Sequence, residues 1–494
     1  MSRERARFWT WAGAALLCGL ALRLWFVSHM AAVLGDSVVY GDIAKNLLRH
    51  GVYGFSQGST LPGELGASPT LIRLPGYPFF LAACFRIFGM EHYNAVLYTQ
   101  AVADLVTCCL AGALAGRLFG NRAALTVLWL SALCPFTASY CRTALAETLV
   151  LSTIALAFYS FARWLQGGRR YNRWLWMTAI ALAGSILLRP EQTLFAAAIL
   201  AAMFWSSRMR RGAGGVRAAM PIVIAAFCVI LPLFPWTMRN WRMFHVFQPL
   251  VPKYANDPGE LEPLGFSRWY RTWAIDFAAT ENVYWNYPGD RIDLGDLPPR
   301  AFAEGSASES IDLRKRTAAL LADYNAGMGG GQEVNPQIDA RFGVLGEERI
   351  RKHPVLYYLG LPIARVLNMT LRPRNEMMDV PLDWWNWKGN LAESTFCVVY
   401  ASLNFAYIVA GVAGFVAWKR RGWAANAVGE TSLPYRELAW AMAASILLRA
   451  VLLLTIDNSE PRYTLEFFPI LFVWAGALFA TPQTTAGVSG HGGR

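Results

Sequence analysis

The sequence predicts an all-α polytopic membrane protein, with about ten transmembrane helices, interfacial helices in its first external loop and a mixed external domain. Of its 494 residues, 55% are hydrophobic and only 16% are charged, and the mean hydropathy is positive. The apolar residues gather in blocks near the ~20 residues that a helix needs to cross a bilayer. The basic residues collect in the short breaks between blocks, where the positive-inside rule puts them. A formal charge of +12 distributed in this way speaks for a membrane and against a nucleic-acid partner.

The first block, 9–34, follows Arg3, Arg5 and Arg7. Its length and the many blocks behind it favour an uncleaved first helix over a signal peptide. Further spans are expected at 94–116, 123–140, 144–163, 174–190, 192–206, 218–236, 396–418, 437–456 and 463–480. With the N-terminus inside, Arg117 with Arg122, then Arg163 to Arg173, Arg208 to Arg217 and Lys419 to Arg436 all face the cytoplasm. The other side receives 35–93, turns near Arg142 and Arg189, a long stretch 237–395 and the turn Asp457 to Arg462.

The chain therefore divides into a transmembrane module 1–236 that carries the first external loop 35–93, an external loop domain 237–395, C-terminal transmembrane helices 396–480 and a cytoplasmic tail 481–494. Between 254 and 348 there are sixteen acidic and eight basic residues, the reverse of the cytoplasmic bias, as suits an external domain. The apolar segment 354–371 is expected to lie in the interface or against the bundle, because a crossing there would put Lys419 to Arg421 outside. Aromatic residues of the loop domain (Trp269, Tyr270, Trp273, Tyr284, Trp285, Tyr287, Trp384, Trp385, Trp387) read as a belt at the lipid boundary, or as stacking surfaces for a sugar ring. Gly327 to Gly331, interrupted by Met328, reads as a flexible crossover; it has no Lys-Ser/Thr to make a phosphate loop. No internal repeat is found, which weakens a transporter built from duplicated halves.

Eight cysteines are scattered without CxxC spacing, so neither a disulfide framework nor a zinc site is indicated. Arg23, Asp104 and Arg449 lie inside spans, where ionisable groups are costly and usually paired; Arg23 with Asp104 is the expected pair, and an ion path the alternative.

Chemistry points to the outer face. Asp36 stands just after the first span, and Ser37 to Arg49 reads as an amphipathic helix closed by Gly51. Asp36, Tyr40, Ile43 and Leu47 share one helical face, Asp42, Lys45 and Arg49 another. Asp36 is either an N-cap or a functional carboxylate. Arg73 opens a proline-stiffened loop, Arg73-Leu74-Pro75-Gly76-Tyr77-Pro78, and its guanidinium can grip a phosphate with two parallel hydrogen bonds or snorkel to the interface. Glu147 sits at the outer start of the fourth span, where it either positions a substrate or complements the helix dipole.

Taken in order, Asp36 with Tyr40, Ala44 and Leu47, then Arg73 to Pro78, Ala146-Glu147-Thr148-Leu149, Pro235-Trp236-Thr237-Met238-Arg239-Asn240-Trp241 and Pro461-Arg462-Tyr463 resemble the GT-C glycosyltransferases. The branch is the one containing protein O-mannosyltransferases and the lipid A aminoarabinose transferase. The resemblance implies an inverting glycosyltransferase that moves a sugar from a polyprenyl-phosphate donor to an acceptor on the outer face of the membrane. It implies Asp36 as the catalytic base, Arg73, Arg462 and Tyr463 at the donor phosphate, and Tyr40, Asp42 and Glu147 as acceptor-binding or supporting residues. A phosphate leaving group departs without a strong acid, so one carboxylate base and cations on the phosphate suffice, and the paired carboxylates of glycoside hydrolases are unnecessary.

Two departures matter. Ser37 stands where many relatives have a second acid, and Ile72 where the aminoarabinose-transferase branch has a metal-associated Glu, which puts a divalent metal in doubt. No metal site or other cofactor is expected; Asp42, Glu64 and His92 are isolated loop residues that define none. Membrane lipids and the lipid-linked donor are the expected partners, with acceptor glycan, lipid or protein left open. The expected location is a bacterial inner membrane with the site facing the periplasm. A transporter or flippase of lipid-linked sugars is the alternative function.

Overall fold

The computed structural model describes residues 3–33, 35–56, 66–167, 170–210, 216–327, 334–385, 387–423 and 435–480. Glu64, the run 328–331 and the tail 481–494 lie outside them. The described residues are overwhelmingly helical: α1 Arg3–Met30, α2 Asp36–His50, α3 Gly76–Phe88, α4 Tyr93–Phe119, α5 Asn121–Ala132, α6 Pro135–Ala138, α7 Glu147–Gln166, α8 Arg173–Leu188, α9 Gln192–Arg210, α10 Val216–Ile230 and α11 Leu233–Phe244. The external stretch adds α12 Leu264–Arg271, α13 Phe277–Ala279, α14 Ala307–Ala326, α15 Pro336–Lys352 and α16 Leu361–Leu371. Helices α17 Leu391–Arg420, α18 Arg436–Leu453 and α19 Phe468–Gly476 complete the bundle. Strands β1 Gly54–Ser56 and β2 Ala67–Pro69 pair antiparallel, Phe55 opposite Ser68, in the first external loop.

Each of the ten expected spans holds a helix, but five are long and apolar enough to cross a bilayer, or seven if two bent pairs each count as one span. Prolines break two of the expected spans. The expected span 123–140 breaks after α5 and resumes at Pro135, bent by 47°; proline has no N–H to continue the ladder and pushes the residue before it, Cys134, into an extended conformation. The expected span 218–236 breaks in the same way at Pro232, between α10 and α11, bent by 40°. The first span ends at Met30 rather than 34.

Among the described residues the buried apolar side chains form four cores, two of them large. The larger lies in the bundle and joins α4, α5, α7, α8 and α19 through residues such as Leu118, Phe158, Trp164 and Phe472. Within it Arg23 donates from Nε (2.8 Å) and Nη2 (2.5 Å) to Asp104, both side chains at most 1% exposed. The two Nη1 protons go to the carbonyls of Gly19 and Ala132, and the second Nη2 proton to Cys108 Sγ (3.3 Å). The expected pair is therefore real, and it is a sealed one. Removing either partner strands the other charge, at a cost of about 3–5 kcal/mol.

The second large core belongs to the stretch between α11 and α16 and is built from Phe266, Trp269, Tyr270, Trp273, Leu320 and Phe342. This corrects both readings of the loop aromatics: Trp269, Tyr270 and Trp273 face neither lipid nor sugar, because they are the packing that lets α12, α14 and α15 fold together. Trp285, Trp385 and Trp387 stay about half exposed. Helix α16 packs inward through Leu361, Arg365 and Met369 and is tied to the bundle where Asn404 Nδ2 donates to the Thr370 carbonyl (2.8 Å) and Thr464 Oγ1 to that of Met369 (3.0 Å).

Candidate active site

The site forms where three chain-distant segments meet at one end of the bundle. The first is the start of α2. Gly35, at φ 54°, turns the chain between α1 and α2, a left-handed conformation that favours glycine. The α1–α2 link is fastened to the segment before α7: Ala32 N–H donates to the Arg142 carbonyl (3.0 Å) and the hydroxyls of Ser37 and Thr143 are 3.0 Å apart. Asp36 is then the first helical residue, and its side chain makes no capping hydrogen bond. It is no N-cap; its carboxylate faces arginines.

The second segment is the loop carrying Arg73. Arg239 anchors it, donating to the carbonyls of Tyr53 (2.7 Å) and Thr70 (2.6 Å), while the Leu71 N–H donates to Asp257 (2.9 Å) and the Tyr53 hydroxyl to the Arg73 carbonyl (3.0 Å). Behind Pro75, a Cβ on Gly76 would lie 2.5 Å from the Leu187 carbonyl oxygen. Only glycine allows that approach of α3 to the end of α8. The third segment is the turn 457–462, which carries Glu460 and Arg462 and enters α19 through a 3-10 turn, Pro461–Phe467.

Arg73 Nη2 donates to Asp36 Oδ1 and Arg462 Nη1 to Asp36 Oδ2, both at 2.8 Å. All three side chains keep between 21% and 24% of their surface, so the cluster opens to the outside of the protein. Burial by itself would push the Asp36 carboxyl up, but the Arg462 and Arg73 guanidinium groups outweigh it and hold the carboxyl well below the usual carboxylate range. Arg73 also lies 5.9 Å from the centre of the Tyr40 ring. Burial and the Asp36 charge push the Tyr40 phenol up to about 12, so it keeps its proton.

A row of alternating charges continues inward. Arg462 pairs with Glu460 and lies 3.8 Å from Glu147. Glu147 accepts from Arg189 (3.0 Å), Arg189 reaches Glu191 (2.7 Å), and Glu191 reaches Arg449 (3.1 Å). The Tyr463 ring lies within 5.6–5.9 Å of the guanidinium groups of Arg189, Arg462 and Arg449.

Of the sequence-derived candidates, the fold thus gathers Asp36, Arg73, Arg462, Tyr463, Tyr40 and Glu147, and leaves Asp42 apart. Asp42 accepts from the Ser56 N–H (2.7 Å) and hydroxyl (2.6 Å) and sits 3.4 Å from Lys45; it fastens β1 to α2 on the other helical face. Four members were missed as a group: Glu460, Arg189, Glu191 and Arg449. Glu460 had a signal, an acid two residues before Arg462 in the same turn; the others meet only in three dimensions. Among the described residues no group of three or more His, Cys, Asp or Glu could hold a metal ion, and His92 is engaged with the Phe88 carbonyl (3.1 Å).

Residues 69–236 match a family model described as dolichyl-phosphate-mannose-protein mannosyltransferase. No curated protein matches the chain in sequence. Among solved structures, it is similar to the archaeal oligosaccharyltransferase AglB from Archaeoglobus fulgidus in complex with an inhibitory peptide and a dolichol-phosphate, at 12% identity and a TM-score of 0.49, over 97% of this chain and 50% of that one. It is also similar to ArnT from Cupriavidus metallidurans bound to undecaprenyl phosphate, at 13% identity and a TM-score of 0.40, over 94% of this chain and 77% of that one. The chain spans half the length of the oligosaccharyltransferase. Through residues 69–236, which hold Arg73, Glu147 and Arg189, the chain thus matches the dolichyl-phosphate-mannose-protein mannosyltransferase family, and the resemblance to GT-C glycosyltransferases carried by its motifs is borne out.

Proposed function

We propose that the protein is an inverting glycosyltransferase that moves a sugar from a polyprenyl-phosphate donor to an acceptor on the outer face of the membrane. One observation carries this reading: a partly exposed carboxylate, Asp36, held at 2.8 Å by each of two arginines from opposite ends of the chain. The arginines are the phosphate ligands and Asp36 is the base that takes the acceptor's proton. Tyr463 and Glu147 keep Arg462 and Arg189 oriented, and Tyr40 packs beside Arg73. The match of residues 69–236 to a dolichyl-phosphate-mannose-protein mannosyltransferase family supports a polyprenyl-phosphate donor. The flippase alternative loses its main support, since Arg23 and Asp104 are sealed against each other rather than lining a path.

Purified protein incubated with a panel of radiolabelled polyprenyl-phosphate sugars and bacterial envelope extract is expected to release polyprenyl phosphate in step with label entering the extract. Movement of intact donor across proteoliposomes without release would favour a flippase.

The reading places Asp36, Arg73, Glu147 and Arg462 in the periplasm of a bacterial inner membrane, with 354–371 not crossing. In support, Val355, Tyr358, Leu359 and Leu367 leave one apolar side of this segment exposed, as suits a helix lying in the interface. Cysteines at the exposed positions Ser308 and Ala392 are expected to react with an impermeant thiol reagent in intact spheroplasts of an otherwise cysteine-free variant. One at Asn121, beside the basic break after α4, is expected to react only after lysis. Protection at Ser308 would overturn the external placement of the loop domain; protection at Ala392 alone would mean that 354–371 spans.

A further inference from the structure

The turn that carries Arg462 is gripped from the external domain by a hydroxyl that meets both backbone groups of one of its residues. Thr280, directly after α13, is fully buried. Its Oγ1 accepts the Ser459 N–H (3.0 Å) and lies 3.1 Å from the Ser459 carbonyl oxygen, to which it donates. One side chain thus satisfies both backbone groups of a residue 179 positions away, using a hydroxyl's capacity to donate once and accept twice. Ser459 is itself 1% exposed, so water is no substitute partner.

The rest of this seam is charged. Asp457 is 4% exposed and lies 3.4 Å from Arg271 of α12 and 3.9 Å from Lys253. On its far side, the turn is held by Arg374, from the segment after α16, whose Nη1 donates to the Pro461 carbonyl (3.0 Å). Glu460 stands between these two fixings and Arg462 directly after the second, three residues from Ser459, within about 10 Å of chain. The external domain has its own hydrophobic core, so a shift of that domain as a body moves Ser459 through Thr280.

We propose that Thr280 is a positioning residue for the donor-phosphate clamp: by holding both backbone groups of Ser459, it lets the external domain set where the Arg462 guanidinium stands. This rests on the reading above that Arg462 binds the donor phosphate. Thr280 touches no reacting group. It acts through the backbone of the 457–462 turn, and it makes donor affinity a property of the external domain as well as of the bundle.

The test uses the full chain in detergent, with farnesyl phosphate as the probe. Thr280→Val keeps the shape and removes the hydroxyl, taking this partner from the buried Ser459 N–H and from the Tyr270 hydroxyl 3.2 Å away. It is expected to weaken farnesyl phosphate binding by roughly tenfold, while Thr280→Ser stays within about twofold of the parent. In an Arg462→Ala background, Thr280→Val is expected to add no further loss, because the residue it works through is gone. Parent-like affinity in Thr280→Val, equal weakness in Thr280→Ser, or the same additional loss in both backgrounds would each overturn the proposal. If Thr280→Val does not fold, Thr280→Ala takes its place with the same outcomes. Failure of the underlying reading looks different: Arg462→Ala would then bind farnesyl phosphate as the parent does.

Discussion

Asp36→Asn is expected to lower sugar transfer by roughly 10²–10⁴-fold, the contribution of a positioned general base, while the protein still folds in membranes. The amide preserves size and can still accept a hydrogen bond, but it takes no proton from an acceptor hydroxyl. The geometry adds a second expectation that a capping role would not produce. Asp36 pairs with both arginines, Arg73 and Arg462, at 2.8 Å, so the carboxylate and an incoming phosphate compete for the same protons. Removing its charge is expected to tighten farnesyl phosphate binding even as turnover collapses. The same competition reconciles so depressed a carboxyl with the role of base proposed for it. Phosphate bound to the arginines neutralises the charges that hold the Asp36 carboxyl below its usual range, and basicity returns when the donor is in place. Near-parental turnover in Asp36→Asn, measured as polyprenyl phosphate released, would remove Asp36 from the chemistry.

Arg73→Ala and Arg462→Ala are expected to weaken farnesyl phosphate binding by about 10- to 100-fold each, the range of a lost charge-assisted hydrogen bond. The Arg462 change should be the larger. Arg462 also pairs with Glu460, which is 2% exposed, and lies 3.8 Å from Glu147, so its loss strands buried negative charge beside the phosphate position. Arg73 has Asp36 as its ion-pair partner, and Arg73→Lys is expected to recover binding in part, since an ammonium supplies charge without the planar two-point grip. Isothermal titration of the detergent-solubilised variants reads both effects. Unchanged affinity in both alanine variants would mean that the donor phosphate binds elsewhere.

Much of this site was legible along the chain. Asp36 after the first span and Arg73 before its prolines are local features, placed by helix ends and turn chemistry. The amphipathic α2 ends at Gly51 as its spacing requires. The pairing of Arg23 with Asp104 was also readable, because a charge inside an apolar span must find a partner and few were on offer. The breaks at Pro135 and Pro232 were written in the sequence too, but continuous hydropathy across them concealed that the backbone ladder stops there.

What the sequence by itself determined, then, is the membrane bundle, its polar ends and the residue types gathered at one of them, since these follow from apolar block length, charge placement and local backbone preference. Tertiary structure alone decided which of those residues meet. The helical step of 100° had already turned Asp42 and Asp36 to different faces, and the tertiary fold fastened Asp42 to Ser56, away from the site. It joined Asp36 to Arg462 across 426 positions, buried Trp269 and Trp273 in a second core instead of at the lipid boundary, and set Thr280 under Ser459. Electrostatic and hydrogen-bond partners act over a few ångströms through space, and chain separation carries no record of that distance until packing has brought the segments together.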